Sequence, residues 1–452
     1  MKAWYFQNLE EANGIKVLGV IVLKENKIIK QKQNNRILFI LALLCLLTLS
    51  GCTPFYEESL YQEQENISKP AETAVTWEGG NDSTDSTVTV VEEKAVVLGV
   101  ESAVLHKVDH SGRYYYESLS ENEQILYEDM YAIMEGMYTN VYLSPQGIQS
   151  VDEDGLNKIF SCVMHDHPEL FYVTGFISRH YAYGDETENI AFSGKYTMDT
   201  VERKRQQLLI DAAVDECLSH ISMEATDYDK VKYVYEYLIL NTEYDQEAPD
   251  NQNICSVFIG RRSVCQGYAK ATQYLLERLD IKSALVTGST YNENHAWNLV
   301  RLDGEYYYMD TTWGDASYQV VDAEDSISAE FLPAINYDYL CVTTEQLLQT
   351  HIIENVVPLP SCTKMDANYY VMEGAYFTSF DEAQVAAFFD AGYEAGKKDI
   401  TLKCSDAQVY TIFLEQLIRE QKIFDYLNST DGKVAYAEDA DNHSLTFWLV
   451  NE

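Results

Sequence analysis

One cysteine in the middle of the chain stands where a thiol nucleophile would be expected. Cys265 is at the predicted start of a helix whose apolar face is Cys265, Ala269, Thr272, Leu276 and Leu279. A helix N-terminus offers free N–H groups and a partial positive charge, and both favour a thiolate over a thiol. Because the thiolate is the form that attacks carbonyl carbon, Cys265 is the candidate nucleophile. The N–H groups beside it are candidate oxyanion donors.

A predicted hairpin downstream brings a histidine and an aspartate together. Asp303-Gly304 separates two runs of alternating hydrophobicity, which is a strong signal for a two-residue turn. If Leu302 faces Glu305, the register places His295 and Asp310 on one face as diagonal neighbours. A three-residue loop would shift the register by one and separate them. With the cysteine, they form the set of nucleophile, base and orienting carboxylate.

A second group of polar residues invites a metal interpretation. His165, Asp166, His167 and Glu169 lie within five positions around Pro168. However, the proline fixes a turn, no regular element would direct these side chains to one point, and the chain has no HExxH or paired CxxC. We therefore predict no metal and no cofactor.

The segments that contain Cys265, His295 and Asp310 resemble bacterial secreted members of the transglutaminase-like superfamily. They are NTEYD at 241–245, CQGYA at 265–269, HAWN at 295–298 and DTTW at 310–313, and DHPELF at 166–171 resembles the segment upstream of that core. The resemblance implies a papain-like α+β fold, in which the cysteine helix packs on an antiparallel sheet.

The resemblance also implies roles and a reaction class. Cys265 would be the nucleophile, His295 the general base and acid, and Asp310 the residue that orients the base. Because the superfamily includes transamidases, peptidases, glycan-amide hydrolases and inactive scaffolds, we expect attack on a protein or peptide amide, with transfer to water or to a lysine amine. A catalytically inactive binding or scaffold protein is the alternative. The candidate oxyanion or substrate-binding side chains are Gln252, Tyr244 and Trp297.

The N-terminus has the pattern of an export signal. Residues 37–49 form an apolar run that follows three basic residues between positions 30 and 36, and it is short for a membrane span. The run ends in LSGC at 49–52, which resembles the lipobox of bacterial lipoproteins. Lipidation of Cys52 after removal of 1–51 is therefore predicted, and a buried apolar helix is the alternative. We expect an extracytoplasmic protein that is lipid-anchored to the cell membrane.

The charge of the chain narrows its partners. The 452 residues include 32 Lys or Arg and 72 Asp or Glu, which gives a formal net charge of -40. Nucleic acids are bound chiefly through Lys and Arg, so nucleic acid is not an expected partner. The expected partners are a protein or peptide substrate, including cell-envelope proteins, and the membrane through the lipid anchor.

The sequence predicts an α+β chain of five segments. The signal peptide at 1–51 is followed by a flexible tether at 52–117, whose first part is rich in Glu, Ser, Thr, Gln and Asn. A helical and strand extension at 118–225 precedes the catalytic core at 226–357, and a small α+β accessory domain occupies 358–452. Six further cysteines are predicted to be buried thiols, with disulfides as the alternative; they are Cys162, Cys217, Cys255, Cys341, Cys362 and Cys404.

Overall fold

The fold is described from a computed structural model of the chain. The described residues are 15–22, 73–80, 87–91, 100–101, 108–149, 151–183, 186–290, 293–315, 333–428 and 433–449. Cys52 lies outside them, as does most of the predicted signal peptide, so the lipidation prediction concerns residues that the structure does not describe. The described elements mix helices with largely antiparallel sheets, which confirms the predicted α+β class.

The bounds of the elements are as follows. The strands are β1 (Ile15–Val22), β2 (Thr73–Gly80), β3 (Thr87–Val91), β4 (Val100–Glu101), β5 (Val141–Tyr142), β6 (Val173–Tyr183), β7 (Glu186–Tyr196), β8 (Glu243–Tyr244), β9 (Arg262–Ser263), β10 (Ser283–Ser289), β11 (Asn294–Leu302), β12 (Glu305–Met309), β13 (Leu340–Val342), β14 (Ile352–Ile353), β15 (Tyr376–Phe377), β16 (Asp399–Cys404), β17 (Lys433–Asp439) and β18 (Ser444–Trp448). The α-helices are α1 (Tyr114–Glu117), α2 (Glu121–Glu135), α3 (Pro145–Ile148), α4 (Glu153–Asp166), α5 (Thr200–Leu218), α6 (Asp227–Asn241), α7 (Cys265–Arg278), α8 (Thr344–Leu347), α9 (Tyr369–Met372), α10 (Glu382–Glu394) and α11 (Ala407–Phe413).

The N-terminal part is a sheet in the order β3-β2-β6-β7-β5-β4, with α2 and α4 packed against it. Here the structure differs from the predicted tether at 52–117. Strand β2 pairs with β6 along its whole length, and Tyr115 in α1 is fully buried. Composition did not show this because the strand partner lies about a hundred positions further along the chain, and the pairing is a tertiary effect.

The central part is the sheet β13-β12-β11-β10-β14, with α7 packed across β10 and β11. The small side chains of Ala269 and Ala296 are buried together at this contact, where they let the helix lie close to the sheet. The hairpin has the predicted register, with Leu302 opposite Glu305. The φ angles of its turn residues, Asp303 and Gly304, are 50° and 87°, as a two-residue type I′ turn requires. The two-residue turn is confirmed, and the three-residue alternative is wrong.

The C-terminal part is the sheet β1-β17-β18-β16-β15 with α10 and α11. From β15 onward its elements run in the order strand, helix, strand, helix and two strands. It has an apolar core of its own, which includes Phe377, Phe389, Phe413 and Phe447. A buried ion pair joins it to the central part, because Lys403 Nζ lies 2.6 Å from Asp338 Oδ1.

The cysteines other than Cys265 that the structure describes are free and buried, which confirms the buried-thiol prediction for them. Burial raises the pKa of several of these thiols, including Cys162 and Cys404, to about 12. Among the described residues, no helix has the length and apolar character needed to cross a membrane.

Candidate active site

The nucleophile candidate Cys265 is the first residue of α7 and is partly exposed. Val264 before it has an extended backbone and provides no side-chain cap, so the opening N–H groups of the helix are not capped by that residue. The Val264 N–H donates to the carbonyl of Asn251 at 3.3 Å. Gly267 permits this close packing, because a Cβ there would collide with Ser263 Oγ and the Asn251 carbonyl.

The base candidate His295 lies between the other two members of the predicted triad. Its Nε2 is 2.7 Å from Asp310 Oδ2, and both side chains are buried. The ring also forms a hydrogen bond with the Cys265 thiol. Because Nε2 faces the carboxylate, Nδ1 is the nitrogen left for the thiol. The structure thus brings the three residues together in the order that a thiol-imidazole-carboxylate site requires.

The electrostatics of the pair favour a charged imidazole. Burial acts to lower the pKa of His295, but Asp310 and Cys265 outweigh it and raise the pKa to about 10. Burial likewise acts to raise the pKa of Asp310, but His295 and a second histidine, His351, hold it below its ordinary value. An imidazolium beside a carboxylate is a suitable counter-ion for a cysteine thiolate. The arrangement can therefore supply both a nucleophile and a proton donor.

Asp310 is held by four hydrogen-bond donors. The backbone N–H groups of Thr312 and Trp313 donate to Oδ1 at 2.9 and 3.1 Å. His295 and His351 both contact Oδ2, at 2.7 and 3.0 Å. His351 was not among the site residues predicted from the sequence; it follows α8 and lies 41 positions after Asp310. No local pattern links it to the carboxylate, and only the fold brings them together.

The same cluster has the composition of a metal site. Among the described residues, the ligand atoms of His295, Asp310 and His351 form a group within 4.8 Å of one another. Two imidazoles and a carboxylate can hold a metal such as zinc. Here the hydrogen bonds to Asp310 account for the arrangement, and the prediction of no metal stays a prediction.

The histidines of the DHPELF segment do not converge on one point. His167 Nδ1 lies 2.6 Å from Glu169 Oε1. The Nε2 of His167 and the Nδ1 of His165 have no hydrogen-bond partner in the described ranges. Neither histidine belongs to a three-ligand group among the described residues. This geometry is that of packed side chains at the end of α4.

Two buried hydrogen bonds tie the nucleophile helix to the hairpin. Asn298 Nδ2 on β11 donates to the carbonyl of Ala269 in α7 at 2.9 Å. Thr272 Oγ1 lies 3.1 Å from Thr311 Oγ1, next to the triad carboxylate. Because both contacts bridge α7 and the hairpin, they fix the distance between nucleophile and base.

The predicted binding residues have different surroundings. Gln252 is exposed in the loop before α7, and Tyr244 is buried at 7% exposure. Trp297 is fully buried, and its ring stacks on that of His295 with 5.8 Å between centroids. Substrate cannot reach a fully buried ring, so the structure corrects the prediction of substrate contact by Trp297. Trp313, which was not proposed, is the partly exposed aromatic ring beside the base.

Comparison with known sequences agrees with this site. Residues 217–311 match the sequence model of the transglutaminase-like superfamily, and this range contains the three triad positions. Human kyphoscoliosis peptidase is 22% identical over 187 residues, which are 36% of this chain and 27% of that protein. The mouse protein of the same name is 21% identical over 175 residues, which are 35% of this chain and 26% of that protein. The matched region thus spans about a quarter of the length of these curated relatives.

Solved structures superpose on limited parts of the chain. A structure described as a TGase covers 27% of this chain and 41% of its own, with 16% identity and a TM-score of 0.23. The periplasmic domain of TgpA from Pseudomonas aeruginosa covers 31% of this chain and 69% of its own, with 13% identity and a TM-score of 0.19. Scores this low carry no argument, and the assignment rests on the sequence match. Within its α+β fold, the chain contains a transglutaminase-like superfamily core.

Proposed function

We propose that the chain is an exported cysteine acyl-transfer enzyme that attacks protein or peptide amides. The observation that carries the proposal is the position of the His295 ring, which is hydrogen-bonded to both Asp310 and the Cys265 thiol. The superfamily match over 217–311 and the peptidase names of the matched relatives support the same class of chemistry.

In the first step, the Cys265 thiolate attacks the amide carbonyl carbon and forms a tetrahedral intermediate. The backbone N–H of Cys265 is positioned at the helix start to donate to the oxyanion. The C–N bond then breaks, and His295 gives its proton to the departing ammonia or amine. The product of this step is a thioester between the acyl group and Cys265.

In the second step, an acceptor attacks the thioester. His295, now neutral, takes a proton from water or from an amine, and the C–S bond breaks to regenerate the thiolate. Water gives a carboxylic acid, and a lysine amine gives an isopeptide bond. Asp310 keeps the imidazole oriented through both proton transfers.

We further propose that Cys52 anchors the chain to the outer side of the cell membrane. The LSGC pattern at 49–52 and the apolar run before it support this. Intact-mass analysis of the chain from its native host tests it. Mature protein that begins at an acylated Cys52 is expected, and an unmodified chain that retains 1–51 would contradict the proposal.

The function is tested by comparing the full wild-type chain with Cys265→Ala. A thiol-reactive amide probe and a pool of peptides that contain glutamine and lysine are the reagents. We expect wild type to label and to process peptides, and Cys265→Ala to do neither. Cys404→Ala, which removes a buried thiol in the C-terminal sheet, is the matched control and should behave as wild type. Equal labelling of wild type and Cys265→Ala, or no processing by wild type, would favour the scaffold alternative.

A further inference from the structure

The carboxylate oxygen that binds His295 has a second histidine donor. Asp310 Oδ2 accepts from His295 at 2.7 Å and from His351 at 3.0 Å. His351 lies outside residues 217–311, the range that matches the superfamily. The contact therefore comes from a part of the chain beyond the matched core.

The contact with Asp310 fixes the hydrogen on one nitrogen of His351. A carboxylate only accepts, so the Nε2 of His351 must carry the hydrogen that reaches Asp310. Its Nδ1 lies 2.8 Å from Thr350 Oγ1. Burial lowers the pKa of His351, whereas that of His295 is raised. One carboxylate oxygen thus binds two imidazoles whose pKa values are shifted in opposite directions.

The ring of His351 is enclosed by aromatic side chains. Its centroid lies 5.0 Å from Trp297, 4.9 Å from Trp313 and 5.6 Å from Tyr339. The Asp310 N–H donates to the Tyr339 carbonyl at 3.0 Å. The backbone and the side chain of Asp310 are therefore both bound by residues of the segment 339–351. The ring has little freedom to leave the carboxylate.

The other titratable groups that act on the carboxylate and its two histidines come from several elements. Cys265 contacts His295 from α7, Tyr235 interacts with Asp310 from α6, and Tyr339 packs on His351. Tyr235 and Tyr339 have pKa values raised by burial and stay neutral near pH 7.

We propose that His351 is a positioning residue that holds Asp310 Oδ2 toward His295 through its Nε2–H. The inference rests on the proposed function and deepens it. Without that donor, Oδ2 can turn away from His295, and the imidazolium loses part of its stabilisation. The thiolate-imidazolium pair would then exist over a narrower range of pH, because it would form at higher pH and lose its imidazolium proton at lower pH.

Two substitutions separate the hydrogen bond from ring packing. His351→Phe keeps a ring and loses the donor, whereas His351→Gln loses the ring and keeps an N–H at about the Nε2 position. The rate of Cys265 alkylation by iodoacetamide is measured against pH on the full chain, with mass spectrometry of the Cys265 peptide. This readout needs no substrate.

The expected result is that only the donor matters. His351→Phe should react over a pH range narrowed by about one unit on each side, with a rate about tenfold lower at the acid and alkaline ends of the wild-type range, while His351→Gln should resemble wild type. If His351→Phe does not fold, His351→Asn replaces it, because its shorter side chain cannot reach Oδ2 and should also narrow the range. His165→Gln, a buried histidine without triad contact, is the control and should leave the profile unchanged.

Three results would overturn the inference. A wild-type profile in both His351→Phe and His351→Asn would mean that the donor has no effect. A narrowed profile in His351→Gln with a normal one in His351→Phe would assign the role to packing. If wild-type Cys265 itself reacts only above about pH 8, the proposed function fails and this inference fails with it.

Discussion

Histidines are buried in two regions of this molecule, with opposite electrostatic results. At the triad, the carboxylate of Asp310 raises the pKa of His295 to about 10 in spite of burial. In the N-terminal part, burial dominates and lowers the pKa of His110 to about 4 and that of His165 to about 3. Within the part of the chain that the structure describes, neither ring nitrogen of His110 has a hydrogen-bond partner. Burial lowers the pKa of a histidine, and at His295 the contacts with Asp310 and Cys265 outweigh that effect.

The N-terminal cluster has two carboxylates. Glu169 contacts His167, whereas the oxygens of Asp166 are used elsewhere. Asp166 accepts from the backbone N–H groups of Tyr115 and Tyr116 at the start of α1, at 3.2 and 2.9 Å. It also accepts from the Tyr127 hydroxyl at 2.9 Å. The DHPELF segment therefore braces a helix start. A histidine and a carboxylate in contact, such as His167 and Glu169, lack the nucleophile that Cys265 supplies beside His295.

The largest effect is expected from removing the carboxylate that distinguishes the two regions. Asp310→Ala should reduce peptide turnover by about a thousandfold or more, because His295 would then be a buried histidine without a charged partner, like His110. Steady-state kinetics on the full chain measures this. Asp166→Asn is the matched control, which should lower stability and leave turnover within about twofold of wild type. Equal loss of turnover in both variants would show that the Asp310 carboxylate has no role in turnover that the Asp166 carboxylate lacks.

The two kinds of histidine should also affect stability in different pH ranges. The folded pKa of His110 is below its ordinary 6.5, so the unfolded state binds more protons and stability falls as pH drops from about 6.5 to about 4. The folded pKa of His295 is raised, so its contribution is full below 6.5 and is lost as pH rises to about 10.

Urea unfolding midpoints across pH test this directly. His110→Gln should flatten the acid side of the curve, and His295→Gln should flatten the alkaline side. Curves for both variants that run parallel to that of wild type would show that these groups do not titrate as the structure implies.

A moderate effect is expected at the contact between the nucleophile helix and the hairpin. Asn298→Ala removes a buried hydrogen bond to the Ala269 carbonyl and should cost about 1–3 kcal/mol of unfolding free energy, with a several-fold loss of turnover. Asn355→Ala removes a similar bond to the Val357 carbonyl away from the triad. It should lower stability without lowering turnover. If both variants lose turnover in proportion to their loss of stability, Asn298 does not hold the nucleophile helix in place for catalysis.

The smallest effect is expected at Trp297. Trp297→Phe keeps an aromatic ring beneath His295 and should leave KM within about twofold of wild type, because the side chain is fully buried. Stability should fall by no more than about 1–2 kcal/mol. A KM that rises by more than about tenfold would restore the idea that this tryptophan contacts substrate.

Local patterns explain how much of the site could be predicted from the sequence. The turn at Asp303-Gly304 is a short-range signal, and it set the register that brings His295 and Asp310 together. The fold class was predicted from the resemblance of the motif segments to the transglutaminase-like superfamily.

Contacts between segments that are distant in the sequence could not be predicted from local patterns. His351 contacts Asp310 across 41 positions, and β2 pairs with β6 across about a hundred. No turn motif or hydrophobic period in the sequence predicts either contact. Burial of Trp297 also depends on tertiary packing, because its strand is covered on both sides by other elements. These features come from the packing of whole segments, which a local pattern does not encode.

The pH dependence of Cys265 alkylation in the wild-type full chain is the decisive measurement. We expect rapid alkylation of Cys265 already at neutral pH, while the buried Cys162, Cys341 and Cys404 stay unreactive. An ordinary cysteine would instead gain reactivity around pH 8.5. If Cys265 follows that ordinary curve, or reacts no faster than the buried thiols, the geometry around His295 does not produce an active thiolate and the proposed enzyme is contradicted.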